Sequence, residues 1–183
     1  MKSNLALVFS LAFFPVLHAQ TPDSLAIRQV DSIIQVSLTF TRQGEYGQAL
    51  ETIAIAENIA LEKLGRESLA FGSCCHNFGR IAYFMSEYKD AEKWYHEALT
   101  IRETVLNKEH PDILPTLNNL ALLYRETGNL EETEKLYVRA AAIQEKVFGK
   151  DHPGYAESLN NLGILYAAKK QYEQAEKFGN YLG

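Results

Sequence analysis

Three groups of side chains in this sequence invite a chemical role. The first is the run Cys74-Cys75-His76, which combines nucleophiles and soft metal ligands. On a helix successive residues point about 100° apart, so the three cannot converge on one ion, and neighbouring cysteines cannot reach disulfide geometry. Cysteines packed as small apolar side chains account for the run better. The second group is His76, His96, His110 and His152, in which no pair has the i,i+4 spacing of a helical metal site. No glycine-rich phosphate loop accompanies them, and Ser68 and Ser158 have no base beside them in the sequence. His110 and His152 each precede a proline, so a role in a turn explains both. The expectation is a protein without catalytic residues, metal or cofactor.

The third group is a ladder of carboxamides. Gln35, Asn77, Asn119 and Asn161 follow one another at intervals of 42 residues. A carboxamide carries both a donor and an acceptor, which suits the backbone of a bound peptide whatever its sequence. Around the ladder lie Arg42, Arg80 and Phe84 toward one end, with Leu122 and Ile164 toward the other. The two arginines would favour an acidic peptide, and Glu126 opposes them. The same amides could instead bond neighbouring helices and hold a stack together. Both roles fit the ladder.

The 42-residue interval extends well beyond the amides. Between His76–Pro111 and Asn118–Pro153, eleven of thirty-six aligned positions are identical, and such self-similarity marks a repeat architecture. Leu117, Leu120, Ala121 and Tyr124 share one side of a helix by their three- and four-residue offsets, leaving Pro115, Asn119, Leu122 and Glu126 on the other. The equivalent inward places are Ile33, Val36, Ser37 and Phe40 in a first unit and Cys75, Phe78, Gly79 and Ala82 in a second. In a fourth they are Leu159, Leu162, Gly163 and Tyr166. A paired second helix follows, with Ala49, Ala91, Thr133 and Ala175 at its small position. Ile53, Tyr95 and Tyr137 hold its large position, where the fourth unit has Gly179. Gly44 and Gly128 fall in turns between paired helices, and Pro111 and Pro153 lie just inside helix starts. These signals predict helix pairs at 24–42/46–65, 68–85/88–107, 111–127/130–149 and 153–169/172–182. The last pair ends early by this count, so its apolar face is expected to favour self-association.

Before this array stand Lys2, a mostly apolar stretch from Leu5 to Leu17, and the small residue Ala19. That order describes a secretory signal peptide over residues 1–19, cleaved between Ala19 and Gln20 and leaving a repeat domain over 20–183. A stretch of thirteen residues is too short to span a bilayer, so no membrane insertion is expected after cleavage. Export implies a periplasmic or secreted protein. The net charge of −5 argues against a nucleic-acid partner, which would require a basic surface.

The inward pattern resembles the tetratricopeptide motif, and the Leu-Asn-Asn-Leu and His-Pro signatures at this spacing resemble the repeats of kinesin light chains. The resemblance implies an all-α, right-handed superhelical solenoid of helix-turn-helix repeats. It further implies a concave groove, lined by the first helix of each pair, in which peptides bind, and it places the family's groove asparagine on the amide ladder. A protein- or peptide-binding scaffold is the function it suggests. Similar repeats also precede caspase-like CHAT or sensor-kinase domains in bacterial proteins, so a regulatory segment of a larger enzyme is the alternative.

Overall fold

The computed structural model describes residues 22–179; the expected signal peptide and the expected end of the last helix lie outside the described residues. Among the described residues eight α-helices run in order: α1 (Pro22–Gln43), α2 (Tyr46–Leu64), α3 (Leu69–Phe84), α4 (Tyr88–Leu106), α5 (Leu114–Glu126), α6 (Leu130–Phe148), α7 (Pro153–Ala168) and α8 (Tyr172–Gly179). No strand occurs among the described residues. Each odd-numbered helix packs on the even-numbered helix after it, and each pair packs on the next, which makes an all-α solenoid. The third pair departs from expectation at its start, where Pro111–Ile113 forms a 3-10 turn before α5. Pro115 has no N–H to bond back to the carbonyl of Pro111, so an α-turn cannot close there. Glu157 holds the equivalent place in the fourth pair, and α7 begins directly at Pro153.

The turns repeat as strictly as the helices. Within the pairs, Gly44, Ser86, Gly128 and Lys170 all take left-handed backbone, with φ of 78°, 62°, 81° and 60°. Between the pairs, Gly65, Asn107 and Gly149 do the same at 85°, 97° and 85°. The residue three places beyond each of these latter positions then caps the next helix or turn. Ser68 Oγ accepts from the Phe71 N–H at 3.2 Å, while Nδ1 of His110 and of His152 accepts from the N–H of Asp112 and Gly154, each at 3.1 Å. An imidazole nitrogen thus does the work of a serine oxygen, satisfying an amide that a helix start would leave unpaired. This is the turn role expected of both histidines.

Small residues let paired helices cross closely. A methyl group added at Gly79 would lie 2.7 Å from the ring of Tyr95, and Ala121 stands opposite Tyr137 in the next pair, fully buried. In the first pair Ser37 takes this place, and its hydroxyl donates to the Ala49 carbonyl at 2.8 Å. Cys74 and Cys75 are entirely buried in the apolar cluster between the first two pairs, as expected of packing residues. Burial pushes both thiols up to about 12, far from the reactive thiolate. In the last pair the aromatic comes one residue before the expected place, because Phe178 stacks on Tyr166 with ring centroids 5.4 Å apart. No helix among the described residues is long and apolar enough to cross a membrane.

Candidate functional site

The first helices α3, α5 and α7 expose one flank each on the same side of the stack, and there they enclose a cleft of about 510 Å³. His76 and Arg80 of α3 form one wall. Pro115, Asn118, Asn119 and Leu122 of α5 form the floor, with Glu157 and Asn161 of α7 opposite. Spacings of three, four and seven residues on α5 are what a single helical flank provides. Tyr137 of the second helix α6 lies against the cleft at 1% exposure, with its hydroxyl buried.

The polar groups are unevenly satisfied. His76 is buried and sits between Thr116 Oγ1 at 3.2 Å and Asn119 Nδ2 at 3.3 Å. Burial, reinforced by Arg102 and Arg80, pushes the imidazole down to about 3, so the ring is neutral. A neutral ring has one N–H; with the Asn119 amide donating to Nε2, Nδ1 holds the proton and donates to Thr116. By contrast, Asn118 Oδ1 and the Tyr137 hydroxyl are buried with no hydrogen-bond partner among the described residues. An unmet buried polar group costs on the order of 1–3 kcal/mol, so a ligand that meets it gains what the free protein forgoes.

The amide ladder divides into two halves. Asn119 and Asn161 line the cleft, and Asn119 also bonds across to α3, which is the helix-linking role expected of the ladder at this rung. Asn77 is buried and turns its amide to the Ser73 carbonyl of its own helix at 2.8 Å, leaving Oδ1 without a partner. Gln35 is exposed on α1, outside the cleft. Arg80 and Leu122 line it. Arg42 is exposed and donates from Nε to the Leu38 carbonyl, Phe84 and Ile164 are about half exposed, and Glu126 faces Arg125 at 3.9 Å. Sequence reasoning missed Asn118, Tyr137 and Glu157, and it weighed His76 only as a metal ligand. The neighbouring ladder His76, Asn118, Asn160 repeats at the same interval and was the available signal.

A profile described as tetratricopeptide repeat matches residues 71–132 and 112–180, which together cover more than half of the chain. No curated protein matches it. Among solved structures, the chain superposes on the nearly identical TPR-like repeats assigned to a kinesin light chain of Podosopora anserina. The TM-score is 0.74 at 23% identity, over 84% of this chain and 72% of that one. It also superposes on BtubC (BKLC) from P. vanneervenii, with TM-score 0.74 and 24% identity over 89% of this chain and 63% of that one. Identities this low speak to the fold: a right-handed superhelical solenoid of kinesin-light-chain-like form. Repeats of this type are generally protein-binding scaffolds without catalytic machinery. By the match over residues 71–180, this chain belongs to the tetratricopeptide-repeat family.

Proposed function

We propose that this chain is an exported, non-catalytic scaffold that binds an extended peptide segment of a partner protein along the concave flank of α3, α5 and α7. The observation that carries the reading is the pair of buried, unpartnered groups at the cleft, Asn118 Oδ1 and the Tyr137 hydroxyl, beside the amides of Asn119 and Asn161. Peptide N–H groups are the donors such an arrangement lacks, and carboxamides can meet the alternating donors and acceptors of an extended backbone. Export is supported by Lys2, the apolar stretch from Leu5 to Leu17 and Ala19.

The binding test uses a phage-displayed library of random twelve-residue peptides panned against residues 20–183. Enriched peptides should lose affinity tenfold or more when Asn119→Ala and Asn161→Ala are combined, while the melting temperature stays within a few degrees. No enrichment, or enriched peptides indifferent to both substitutions, would remove the groove from consideration. Export is checked separately by N-terminal sequencing of the protein recovered outside the cytoplasm, which should begin at Gln20.

A further inference from the structure

Arg102 belongs to the second helix α4, yet its guanidinium reaches the seam between α3 and α5. It donates to the Thr116 hydroxyl and, at 3.5 Å, to that of Ser73. Its positive charge forms no ion pair among the described residues. The guanidinium lines a cleft of about 260 Å³ together with Ser73, Asp112 and Pro115. Pro115 is also part of the floor of the larger groove, so the small cleft opens beside the path of a bound peptide.

The repeat itself shows that the seam does not need this cation. One repeat earlier the same two positions hold Ala60 and Cys74, both fully buried. One repeat later they hold Gln144 and Ser158, whose side chains hydrogen-bond to each other. An apolar pair and a neutral polar pair both close the seam, whereas burial works against the charge of Arg102 and the field of Asp112 offsets only part of that effect. Asp112 is the one carboxylate on the small cleft, and it stays beyond ion-pair distance with its side chain largely exposed.

Resting on the peptide-groove reading, we infer that Arg102, with the hydroxyls of Ser73 and Thr116, anchors an acidic side chain of the bound peptide. A guanidinium presents parallel N–H groups that fit a carboxylate in bidentate fashion, and the two hydroxyls hold the fork in place. Thr116 is backed by neutral His76, which leaves the exposed Asp112 as the one carboxylate of the small cleft that opposes the anion. Acidic groups lie to either side, Asp31 in the neighbouring cleft toward α1 and Glu157 in the groove toward α7, where Arg80 is the other charge. The peptide should therefore carry one acidic residue at a central position, with neutral or basic residues on either side.

The library panning described above supplies the probe. Enriched peptides should share one Asp or Glu, and replacing it with Asn or Gln should weaken binding to the wild-type protein at least tenfold. The same replacement should change binding to Arg102→Gln less than twofold, because Gln is the residue the next repeat tolerates at this position. Asp112→Asn should leave affinity unchanged or raise it. If Arg102→Gln proves less helical by circular dichroism, Arg102→Lys keeps the charge without the fork and should still lose at least threefold for the acidic peptides. Enriched peptides without a shared acid, or an acid-to-amide loss equal in the wild-type and variant proteins, would overturn the anchor and leave the groove standing. Failure to enrich any peptide would instead overturn the groove reading on which the anchor rests.

Discussion

The seam between the second and third pairs and the seam between the third and fourth have the same geometry and different chemistry. In the former, Arg102 donates to Thr116, which also meets buried His76; in the latter, Gln144 meets Ser158, and Asn118 holds the place of His76. The later seam is the plainer solution: its groups are neutral, and Gln144 and Ser158 satisfy each other, while Asn118 Oδ1 stays buried without a partner among the described residues. The earlier one keeps a cation and an imidazole at the edge of the groove. Residues that recur at 42-residue intervals build the stack, and departures from recurrence mark where the concave side has acquired its own character.

Transplanting one seam into the other is the harshest test of that comparison. Gln144 is buried, and a carboxylate equivalent to Asp112 is missing there because Gly154 occupies that place. A methyl group on Gly154 would already approach the Gln144 amide to 2.9 Å, so the site is also tight. Gln144→Arg should therefore bury an unpaired charge and lower unfolding free energy by about 3–5 kcal/mol in urea titration. Arg102→Gln, the reverse exchange, should cost less than about 1 kcal/mol. Comparable losses for the two would show that the cation is structural after all.

The second test uses pH. His76 is held neutral in the folded protein, its value pushed from the ordinary 6.5 to about 3. Above pH 6.5 the ring is neutral in both states and stability does not depend on it. As pH falls below 6.5 the unfolded chain takes up a proton that the folded chain refuses, so stability declines until about pH 3, where both states are protonated. The slope approaches about 1.4 kcal/mol per pH unit, or on the order of 2–3 kcal/mol by pH 4.5. His76→Asn installs the residue found one repeat later, and its melting temperature should vary much less with pH over this window. Parallel wild-type and variant curves would break the assignment.

A third comparison concerns the small residue at the helix crossing. Gly79→Ala drives a methyl into the Tyr95 ring at 2.7 Å and should destabilise by about 1–3 kcal/mol. At the same repeat position, Gly163→Ala meets its nearest atom at 3.5 Å and should be neutral or stabilise by up to about 1 kcal/mol, since alanine favours helix. Calorimetric melting of the two variants should move them in different directions. A shared direction would mean that the crossing distance is not what separates the repeats.

These contrasts also show what the sequence could disclose. The period emerged from Asn119-Leu120 against Asn161-Leu162, because core positions in a solenoid must fill similar spaces, and helix ends followed from prolines, glycines and apolar spacing. Gly44 and Gly128 announced their turns, yet Ser86 and Lys170 adopt the same left-handed backbone without a glycine to reveal it. The cleft was legible only in part on the first helices: at Arg80, Asn119, Leu122 and Asn161, on the amide ladder or one helical turn from it, but not at His76, Asn118 or Glu157 beside it. Tyr137 and Arg102 were not legible. Both come from second helices, and periodicity gives the face of a helix without the reach of a long side chain between its neighbours.

The smallest expected effect tests whether polar links along the seams carry stability at all. The Tyr124 hydroxyl donates to Glu92 at 2.7 Å, and one repeat later the Tyr166 hydroxyl donates to Glu134 at 2.6 Å. In the first seam Ala82 and Leu50 hold these places, so stacking itself does not require the bond. The two carboxylates differ in what remains when the hydroxyl is removed. Glu134 keeps the ammonium of Lys169, which with Tyr166 holds its carboxyl below the ordinary range. Glu92 keeps the imidazole of His96 at 4.0 Å, which loses its own 3.0 Å contact with the Tyr124 hydroxyl. Tyr124→Phe should thus cost about 1 kcal/mol and Tyr166→Phe about half as much, near the lower end for a single hydrogen bond. Double-mutant cycles with Glu92→Gln and Glu134→Gln, read by urea unfolding, would isolate each link from the packing of the ring. A larger coupling at Tyr166 than at Tyr124 would mean that Lys169 strengthens the hydroxyl bond instead of standing in for it, and the ranking of the two seams would reverse.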